Sequence, residues 1–181
     1  MKRICIPLAE GFEEIEAVTL IDVLRRAGLA VTTCGLSGLQ VKGSHGITVA
    51  ADTTIDAALA GAWDMVILPG GMPGSTTLRD DARVGKLLEK AAGAGGYVGA
   101  ICAAPIALAR FGHLEGRQAT SYPGFAPELG GADYREDRVV CDGRVMTSRG
   151  PGTAMEFALA IVERLAGPAK ARELKAQMLA P

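Results

Sequence analysis

The residue whose surroundings most clearly indicate chemistry is Cys102. It lies between an apolar run of small residues at 96–101 and an alanine-rich run that carries Pro105 near its start. The first run is typical of a buried parallel strand, and proline is favoured in the first turn of a helix. The unpaired N–H groups of a helix start favour negative charge, so we expect the pKa of the Cys102 thiol to be lowered. The spacing predicts a reactive cysteine on a strained strand-to-helix elbow, with a buried structural cysteine as the alternative.

A second candidate is the carboxyl group of Glu16, which lies beside the apolar residues of a predicted helix. A carboxyl group held against apolar packing has a raised pKa and can stay protonated. It could then donate a hydrogen bond to a thiolate or move a proton during catalysis. The alternative is that Glu16, like Glu13 and Glu14, is a solvated acid that matches the dipole at the start of the helix.

Two adjacent glycines, Gly70 and Gly71, follow an apolar run that predicts a central strand at 65–68. Their backbone N–H groups could approach a ligand closely at the carboxyl end of that strand, which is the edge where α/β sheets bind ligands. A tight turn without a ligand explains the pair equally well.

The other cysteines and the histidines indicate neither a metal site nor disulfides. Cys5, Cys34 and Cys141 lie in strand patterns, where we expect them in the core, and no Cys-x-x-Cys pair is present. The two histidines, His45 and His113, are too few to complete an ordinary zinc site, and His113 is expected in a surface turn. In a reducing compartment such scattered cysteines remain thiols.

The composition argues against several classes of protein. Of the 181 residues, 49% are hydrophobic and 22% are charged, with a net charge of −1, which is ordinary for a globular chain. No run of Lys and Arg exceeds two residues, so we expect no specific nucleic-acid surface. No apolar stretch approaches the ~20 residues of a membrane span, and residues 1–3 lead into a strand without a signal-peptide pattern. The expected location is cytoplasmic.

The order of the patterns predicts one α/β domain over residues 1–181, with a mostly parallel sheet and helices on both of its faces. Strands are predicted at 3–9, 29–34, 65–68 and 96–101, with a strand end at 118–123. Helices are predicted at 12–27, 56–59, 81–92, after Cys102, from 153 to Pro168, and at 169–179. Two hairpins are predicted, one within 39–50 lying on the main sheet and one at 139–147 around an Asp-Gly turn.

Two of these helices carry more specific expectations. Apolar residues at helical spacing predict the buried face of the first, which consists of Ile15, Val18, Ile21 and Leu24, widened by Leu20 and Ala27. Thr153 and Glu156 predict a capping box at the start of the later helix. The inward residues expected in that helix are Phe157, Ala160, Ile161 and Leu165.

Four segments occur in an order and spacing that resemble a known family. They are AEGFEEIE at 9–16, LPGG at 68–71, AICAAP at 100–105 and TSRGPGT at 147–153. Together they resemble the ThiJ/PfpI superfamily, in the branch of the parkinsonism-associated protein deglycase and its bacterial relatives. The resemblance covers essentially the whole chain, and four segments in register are far more specific than any one of them.

The resemblance implies a flavodoxin-like fold, which is a three-layer α/β/α sandwich of the class I glutamine amidotransferase-like type, and a homodimer. It implies that Cys102 is the oxidisable nucleophile and that a protonated Glu16 hydrogen-bonds its sulfur. The backbone around Gly70, Gly71 and Ala103 would supply amide donors to a small anion-binding pocket. No metal or organic cofactor is implied.

The resemblance also implies that Arg149 lies near that pocket, and two further positions depart from the pattern of the family. Tyr122 stands where many members carry a pocket histidine, which puts in doubt any mechanism that needs an imidazole there. His45 stands where relatives contribute an arginine from the partner chain. Anion binding would therefore weaken as the pH rises past the pKa of the His45 imidazole.

The resemblance implies two classes of function. The first is an enzyme, a glutathione-independent glyoxalase or protein deglycase, acting on methylglyoxal, glyoxal or their protein and nucleotide adducts. Cys102 would be its nucleophile and Glu16 its proton shuttle. The alternative is an oxidative-stress sensor or redox-regulated chaperone in which Cys102 is oxidised to a sulfinate. A cysteine peptidase is not expected, because it needs an imidazole beside the sulfur and the residue after Cys102 is Ala103.

Overall fold

The computed structural model describes residues 1–180 and places a central sheet between two layers of helices. The strands are β1 (Arg3–Leu8), β2 (Ala30–Gly35), β3 (Gln40–Lys42), β4 (Thr48–Ala50), β5 (Thr53–Thr54), β6 (Met65–Leu68), β7 (Tyr97–Ile101), β8 (Gln118–Ala119), β9 (Asp133–Tyr134), β10 (Val139–Asp142) and β11 (Val145–Ser148). The helices are α1 (Glu14–Arg26), α2 (Ile55–Ala58), α3 (Gly74–Asp80), α4 (Ala82–Gly93), α5 (Pro105–Arg110), α6 (Ala154–Ala166) and α7 (Pro168–Gln177).

The central sheet has the strand order β10-β11-β7-β6-β1-β2-β5. Neighbouring strands run parallel throughout, except that β10 and β11 form the predicted antiparallel hairpin at one edge. The flavodoxin-like fold with a mostly parallel sheet is thus confirmed. Because β6 and β7 are parallel neighbours, the loops that follow them lie side by side at the carboxyl edge of the sheet.

The two faces of the sheet are covered by different helices. Successive side chains of a strand point to opposite faces, so Ile4 and Ile6 of β1 join one apolar core and Cys5 joins the other. The first core includes buried residues of α1 and α6, and the second includes buried residues of α2, α4 and α5. Burial on both faces explains why these strands are continuous apolar runs in the sequence.

The predicted buried face of α1 is wrong at two of its six positions. Ile15 and Val18 are exposed, with relative accessibilities of 58% and 47%, whereas Leu20 and Leu24 are buried as expected and Ile21 and Ala27 pack half-buried against the same core. The inward face also contains the acidic residues Glu14 and Glu16 together with Ala17 and Val23. Both carboxyl groups accept hydrogen bonds inside the protein, and this compensates for burying them in place of the two apolar side chains.

The predicted capping box at the start of α6 is also wrong. The Thr153 hydroxyl lies 2.6 Å from Oγ of Ser148 and accepts a hydrogen bond of 3.1 Å from the Gly150 N–H. Glu156 instead forms an ion pair of 2.7 Å with Arg138. The hydroxyl of Thr153 is therefore used to hold the loop after β11. Phe157 and Ile161 are buried as predicted, while Ala160 and Leu165 are half-buried.

Strands β3 and β4 form a hairpin, but as a separate two-stranded sheet that is attached to the start of α1. The N–H of Gly11 donates to the Lys42 carbonyl, and the N–H of Ser44 donates to the Phe12 carbonyl, both at 2.8 Å. Helix α3 and strand β9 were not predicted from the sequence, whereas β8 lies within the strand end predicted at 118–123. In the described part of the chain, no helix is both long enough and apolar enough to cross a membrane.

Candidate active site around Cys102

Cys102 follows β7 directly, and its φ of +64° lies in the left-handed region that non-glycine residues seldom adopt. Such a conformation costs about 1–3 kcal/mol and persists only where the surrounding structure enforces it. Here the Cys102 N–H donates to the Ser148 carbonyl at 3.0 Å, and the Cys102 carbonyl accepts from the Tyr122 N–H at 2.9 Å. The strained elbow predicted from the sequence is confirmed.

Glu16 is fully buried on α1, and its two carboxyl oxygens have different surroundings. Oε2 accepts a hydrogen bond of 2.7 Å from the Gly70 N–H. Oε1 has no hydrogen-bond partner in the described structure, and the carboxyl group lies close enough to the Cys102 thiol for each group to shift the pKa of the other. Burial raises the pKa of Glu16 to about 7, although the Gly70 N–H and the Cys102 thiol both act to lower it. At neutral pH the protonated and ionised forms of Glu16 are therefore both populated.

The thiol of Cys102 is half-buried and is coupled to that carboxyl group. Burial, the charge of Glu16 and the hydrogen bond with Glu16 raise the pKa of Cys102 to about 12, while the N–H groups of Ala103 and Gly71 lower it. The lowered pKa expected from the sequence is therefore wrong, because burial and the charge of Glu16 outweigh the two amides. Helix α5 begins only at Pro105 and has 6 residues, so its dipole contributes little at the sulfur.

Protonation of Glu16 changes this balance. It removes the charge repulsion, so that burial is opposed by the amides of Ala103 and Gly71 and the thiolate becomes easier to form than beside an ionised Glu16. The proton of Glu16 and that of Cys102 consequently belong to the pair.

The glycine pair fits closely between α1 and the elbow. A Cβ atom on Gly70 would lie 2.5 Å from Oε2 of Glu16 and 2.6 Å from Cβ of Cys102. Gly71 has a φ of +94°, and a Cβ there would lie 2.3 Å from the nitrogen of Glu13. Both positions therefore require glycine. The Gly71 N–H also acts to lower the pKa of the Cys102 thiol, an effect that a tight turn alone would not need.

Tyr122 and Arg149 lie on the loops that flank the elbow. Tyr122 is bound through its backbone to Cys102, and its ring, half-exposed, lies against Gly150, where a Cβ would be 3.5 Å from Cδ2. The Arg149 guanidinium donates to the Glu136 carbonyl at 3.1 Å and to the Ser121 carbonyl at 3.5 Å. These contacts hold both side chains beside the elbow, and their roles in anion binding stay predictions.

His45 lies on the β3–β4 hairpin and is bound to acids of its own chain. Its Nδ1 lies 2.9 Å from Oε2 of Glu14 and 3.5 Å from Oε2 of Glu13. The hydrogen bond with Glu14 and the charges of both acids raise the pKa of His45. The imidazole therefore keeps its charge to a higher pH than an ordinary histidine does. Its role across a subunit interface stays a prediction.

Sequence reasoning missed Glu14, which holds the hairpin to α1. Its buried carboxylate accepts from the N–H groups of His45 at 2.7 Å and Ile47 at 3.3 Å, and from the Ser44 hydroxyl at 3.2 Å. Although burial opposes ionisation, the bonds from His45 and Ile47 lower the pKa of Glu14 to about 2. The only sequence signal for this role of Glu14 was the cluster of acids at positions 13, 14 and 16. Such a cluster is also typical of a solvated helix start.

Within residues 1–180, the side chains that could together ligate a metal ion are those of Glu13, Glu14 and His45. Ligand atoms of Glu13, Glu14 and His45 all lie within 4.8 Å of one another. Both oxygens of Glu14 already accept hydrogen bonds from the hairpin, so the arrangement is explained without an ion.

Comparison with known proteins agrees with this geometry. Residues 2–164 match the model of the DJ-1/PfpI family. The chain is 44% identical over 181 residues to protein dj-1beta of Drosophila melanogaster, covering 98% of this chain and 97% of that protein. It is 41% identical over 166 residues to glutathione-independent glyoxalase DJR-1.2 of Caenorhabditis elegans, covering 91% of this chain and 89% of that protein.

The fold agrees equally well with solved structures. The crystal structure of Drosophila melanogaster DJ-1beta superposes with a TM-score of 0.96 at 44% identity, covering 99% of this chain and 98% of that one. Family model, sequence identity and fold all extend over the segments that place Cys102, Glu16 and Gly70 together. The chain therefore belongs to the DJ-1/PfpI family.

Proposed function

We propose that this protein is a cysteine-dependent enzyme that converts small reactive dicarbonyls, such as methylglyoxal and glyoxal, to hydroxy acids without glutathione. The observation that carries the proposal is the contact between the buried carboxyl group of Glu16, whose pKa is raised to about 7, and the thiol of Cys102. A group with a pKa near the working pH is well suited to accept and return a proton. The activity in the name of the Caenorhabditis elegans relative supports the same class of reaction.

The first step would be addition of the Cys102 thiolate to the aldehyde carbon of methylglyoxal. A C–S bond forms, the electron pair of the C=O bond moves to oxygen, and that oxygen takes a proton to give a hemithioacetal. The N–H groups of Gly71 and Ala103, which act to lower the pKa of the Cys102 thiol, would stabilise the developing oxyanion.

Glu16 would then carry the proton that isomerises this adduct. It removes the proton from the former aldehyde carbon and returns one to the neighbouring carbon. The hemithioacetal hydroxyl loses its proton as the neighbouring ketone oxygen gains one, and the product is a thioester of lactate. Water hydrolyses the thioester and releases the thiol, so methylglyoxal and water give lactate with no external oxidant or reductant. A deglycase activity would use the same addition step on adducts of protein or nucleotide amines.

The test is steady-state conversion of methylglyoxal to lactate in the absence of glutathione. We expect Cys102→Ala to abolish turnover and Glu16→Gln to lower kcat by roughly 10²–10⁴-fold, the usual range for a lost acid–base group. Cys141→Ala, which removes another half-buried thiol, is the matched control and should retain the activity. Turnover by Glu16→Gln equal to that of the parent would show that Glu16 does not move the proton.

The second candidate function is an oxidative-stress sensor or redox-regulated chaperone. A relative from Toxoplasma gondii, solved in a form described as oxidized, shows 37% identity and a TM-score of 0.95. A sulfinate on Cys102 could accept hydrogen bonds from the Ala103 and Gly71 amides and from a protonated Glu16. Mass spectrometry after mild peroxide should then find a stable addition of two oxygens on Cys102 in the parent, and further oxidation in Glu16→Gln.

We also propose that the chain forms a homodimer through the outer face of α1. Ile15 and Val18 are exposed there, and Ile47, whose N–H bonds Glu14 at the start of the same helix, is exposed as well. Apolar residues that cluster on a surface mark interaction sites. In sedimentation experiments, the double change of Ile15 and Val18 to Glu should give a monomer. Leu179→Glu, a change of another exposed apolar residue, should leave the dimer intact.

A further inference from the structure

A basic cavity lies at the edge of the sheet opposite to Cys102. It has a volume of about 490 Å³ and is formed where β1, β6, β7 and β11 begin. Its lining includes five cationic side chains and two aromatic ones: Lys2, Arg3, Lys90, Arg144, Arg164, Trp63 and Tyr97. Cys102 follows the carboxyl end of β7, so a ligand in this cavity would not compete with a substrate at the thiol.

The charge of the cavity is unlike that of the whole protein. Five cations face one carboxylate, Asp64, whereas the complete chain has a net charge of −1. Asp64 is already committed, because it accepts from Lys2 Nζ and from the Arg3 N–H, both at 2.8 Å. Across residues 1–180, no carboxylate lies within ion-pair distance of Arg3, Arg144 or Arg164. Concentrated positive charge of this kind attracts multiply charged anions.

Two of the arginines are held in place by aromatic rings. The Arg3 guanidinium lies 4.8 Å from the centroid of Trp63, and the Arg144 guanidinium lies 5.2 Å from that of Tyr97. The Trp63 ring is itself fixed, because its Nε1 donates to the Ala58 carbonyl at 2.9 Å. A guanidinium stacked on a ring keeps its N–H edge available, and that planar edge matches the oxygens of a phosphate group.

Helix ends account for some of the other cations. Lys90 and Arg164 lie in the last turns of α4 and α6, where positive charge complements the helix dipole, and Lys90 also donates to the Leu59 carbonyl. Arg3 begins a strand and Arg144 lies in the β10–β11 turn, so neither has such a role. The argument for a ligand therefore depends on these two arginines.

We propose that the basic cavity binds a small molecule that carries a diphosphate or triphosphate group. Its volume is within the range of small-molecule sites. Two stacked arginines can each bind a phosphate group bidentately, and Lys2, Lys90 and Arg164 add charge around them. A single carboxylate or monoanion would leave most of this charge unpaired, which is why the polyphosphate class fits best.

The test is calorimetric titration of the full chain with inorganic pyrophosphate and, separately, with ADP, at about 150 mM salt, where the Debye length is about 8 Å and distant charges are screened. We expect both probes to bind, and the double change Arg3→Gln with Arg144→Gln to weaken binding by at least ~10-fold, since a hydrogen bond to a charged group contributes about that factor. The matched control is Arg172→Gln with Lys175→Gln on α7, which removes the same charge from another surface and should change affinity less than twofold.

Three results would overturn the proposal. The first is that neither probe binds the parent at this salt concentration, and the second is that the α7 control weakens binding as much as the cavity variant does. The third is a single-stranded oligonucleotide binding far more tightly than pyrophosphate and ADP, which would indicate a nucleic-acid surface. If the double variant fails to fold, Arg144→Lys replaces it. That variant keeps the charge but loses the planar fork, so unchanged affinity would also contradict the proposal.

Discussion

The N–H of Gly70 donates a hydrogen bond of 2.7 Å to Oε2 of Glu16, and this bond joins the loop after β6 to the first turns of α1. It occupies one carboxyl oxygen and leaves Oε1 of Glu16 without a hydrogen-bond partner. Gly70 also has no room for a side chain between Glu16 and Cys102. The close approach of α1 to the elbow therefore depends on a glycine at this position.

A methyl group at position 70 should disturb this arrangement. In Gly70→Ala the new Cβ would lie 2.5 Å from Glu16 Oε2 and 2.6 Å from Cys102 Cβ, so α1 or the elbow must move. Overpacking of this kind costs about 1–3 kcal/mol of unfolding free energy. We expect urea denaturation to show that loss of unfolding free energy. Methylglyoxal turnover should fall by more than the decrease in folded protein explains.

Gly93→Ala is the matched control for that variant. Gly93 ends α4, and a Cβ there meets no atom within 4 Å. Its unfolding free energy should be equal to or above that of the parent, because alanine is the better helix former. Equal effects of the two substitutions would show that contact with Glu16 and Cys102 is not the cause.

The raised pKa of Glu16 makes stability depend on pH. It is about 7 in the folded protein, against about 4.3 in an unfolded chain, so the folded state holds this proton more tightly. The contribution is complete below about pH 4 and is lost as the pH rises through about 7, with a total of about 4 kcal/mol. In Glu16→Gln, the unfolding free energy measured by urea denaturation should decline over this pH range by about that much less than it does in the parent. An unchanged pH profile in Glu16→Gln would contradict the assignment.

Glu14 should have the opposite dependence, although it lies only two residues away on the same helix. Its pKa is lowered to about 2, so its stabilising effect is present above the unfolded pKa and is lost as the pH falls through about 2. Glu14→Gln should lower the unfolding free energy at pH 7 by about 1–3 kcal/mol, because hairpin N–H groups lose a charged acceptor. Hydrogen exchange should show faster exchange at the N–H groups of His45 and Ile47.

Glu10→Gln tests whether any acid near the hairpin has this effect. The exposed carboxylate of Glu10 accepts one bond of 3.3 Å, from the Lys42 N–H. Its replacement should change the unfolding free energy by no more than about 0.5 kcal/mol, as surface substitutions usually do.

The parts of this structure that the sequence predicts are those that follow from local patterns. The apolar runs at 65–68 and 96–101 predict β6 and β7, and the Asp142–Gly143 turn predicts the β10–β11 hairpin. Pro105 after a small-residue strand predicts the elbow, which the φ of Cys102 confirms. In each case burial or turn geometry acts within a few residues of the signal.

The features that depend on distant partners were not predictable in this way. The periodicity of α1 favours Ile15 and Val18 as core residues, but burial of Glu14 and Glu16 is made possible by donors from the hairpin and from Gly70. The thiol pKa of Cys102 likewise depends on a carboxylate more than eighty residues earlier in the chain, and not on the adjacent helix. The cations of the basic cavity are dispersed along the sequence, so no local run indicates them.

The last prediction concerns which thiol reacts first. Cys5 and Cys34 are completely buried, with their sulfur atoms 3.4 Å apart, and burial raises the pKa of Cys141. Only for Cys102 do two backbone amides favour the thiolate while the side chain stays partly accessible. Iodoacetamide at pH 7 should therefore alkylate Cys102 at least ~10-fold faster than the other three, because the thiolate is the reactive form.

Peptide mapping by mass spectrometry at short reaction times measures these four rates separately. Cys102→Ala should show no fast phase, while Cys141→Ala should keep it. The rate at Cys102 should also rise less steeply with pH than that of a free thiol, since Glu16 and Cys102 share their protons over the range around the raised pKa of Glu16. Alkylation of Cys141 before Cys102 would show that the amides of Ala103 and Gly71 do not produce a reactive thiolate at Cys102 even where Glu16 is protonated, and the proposed nucleophile would then be wrong.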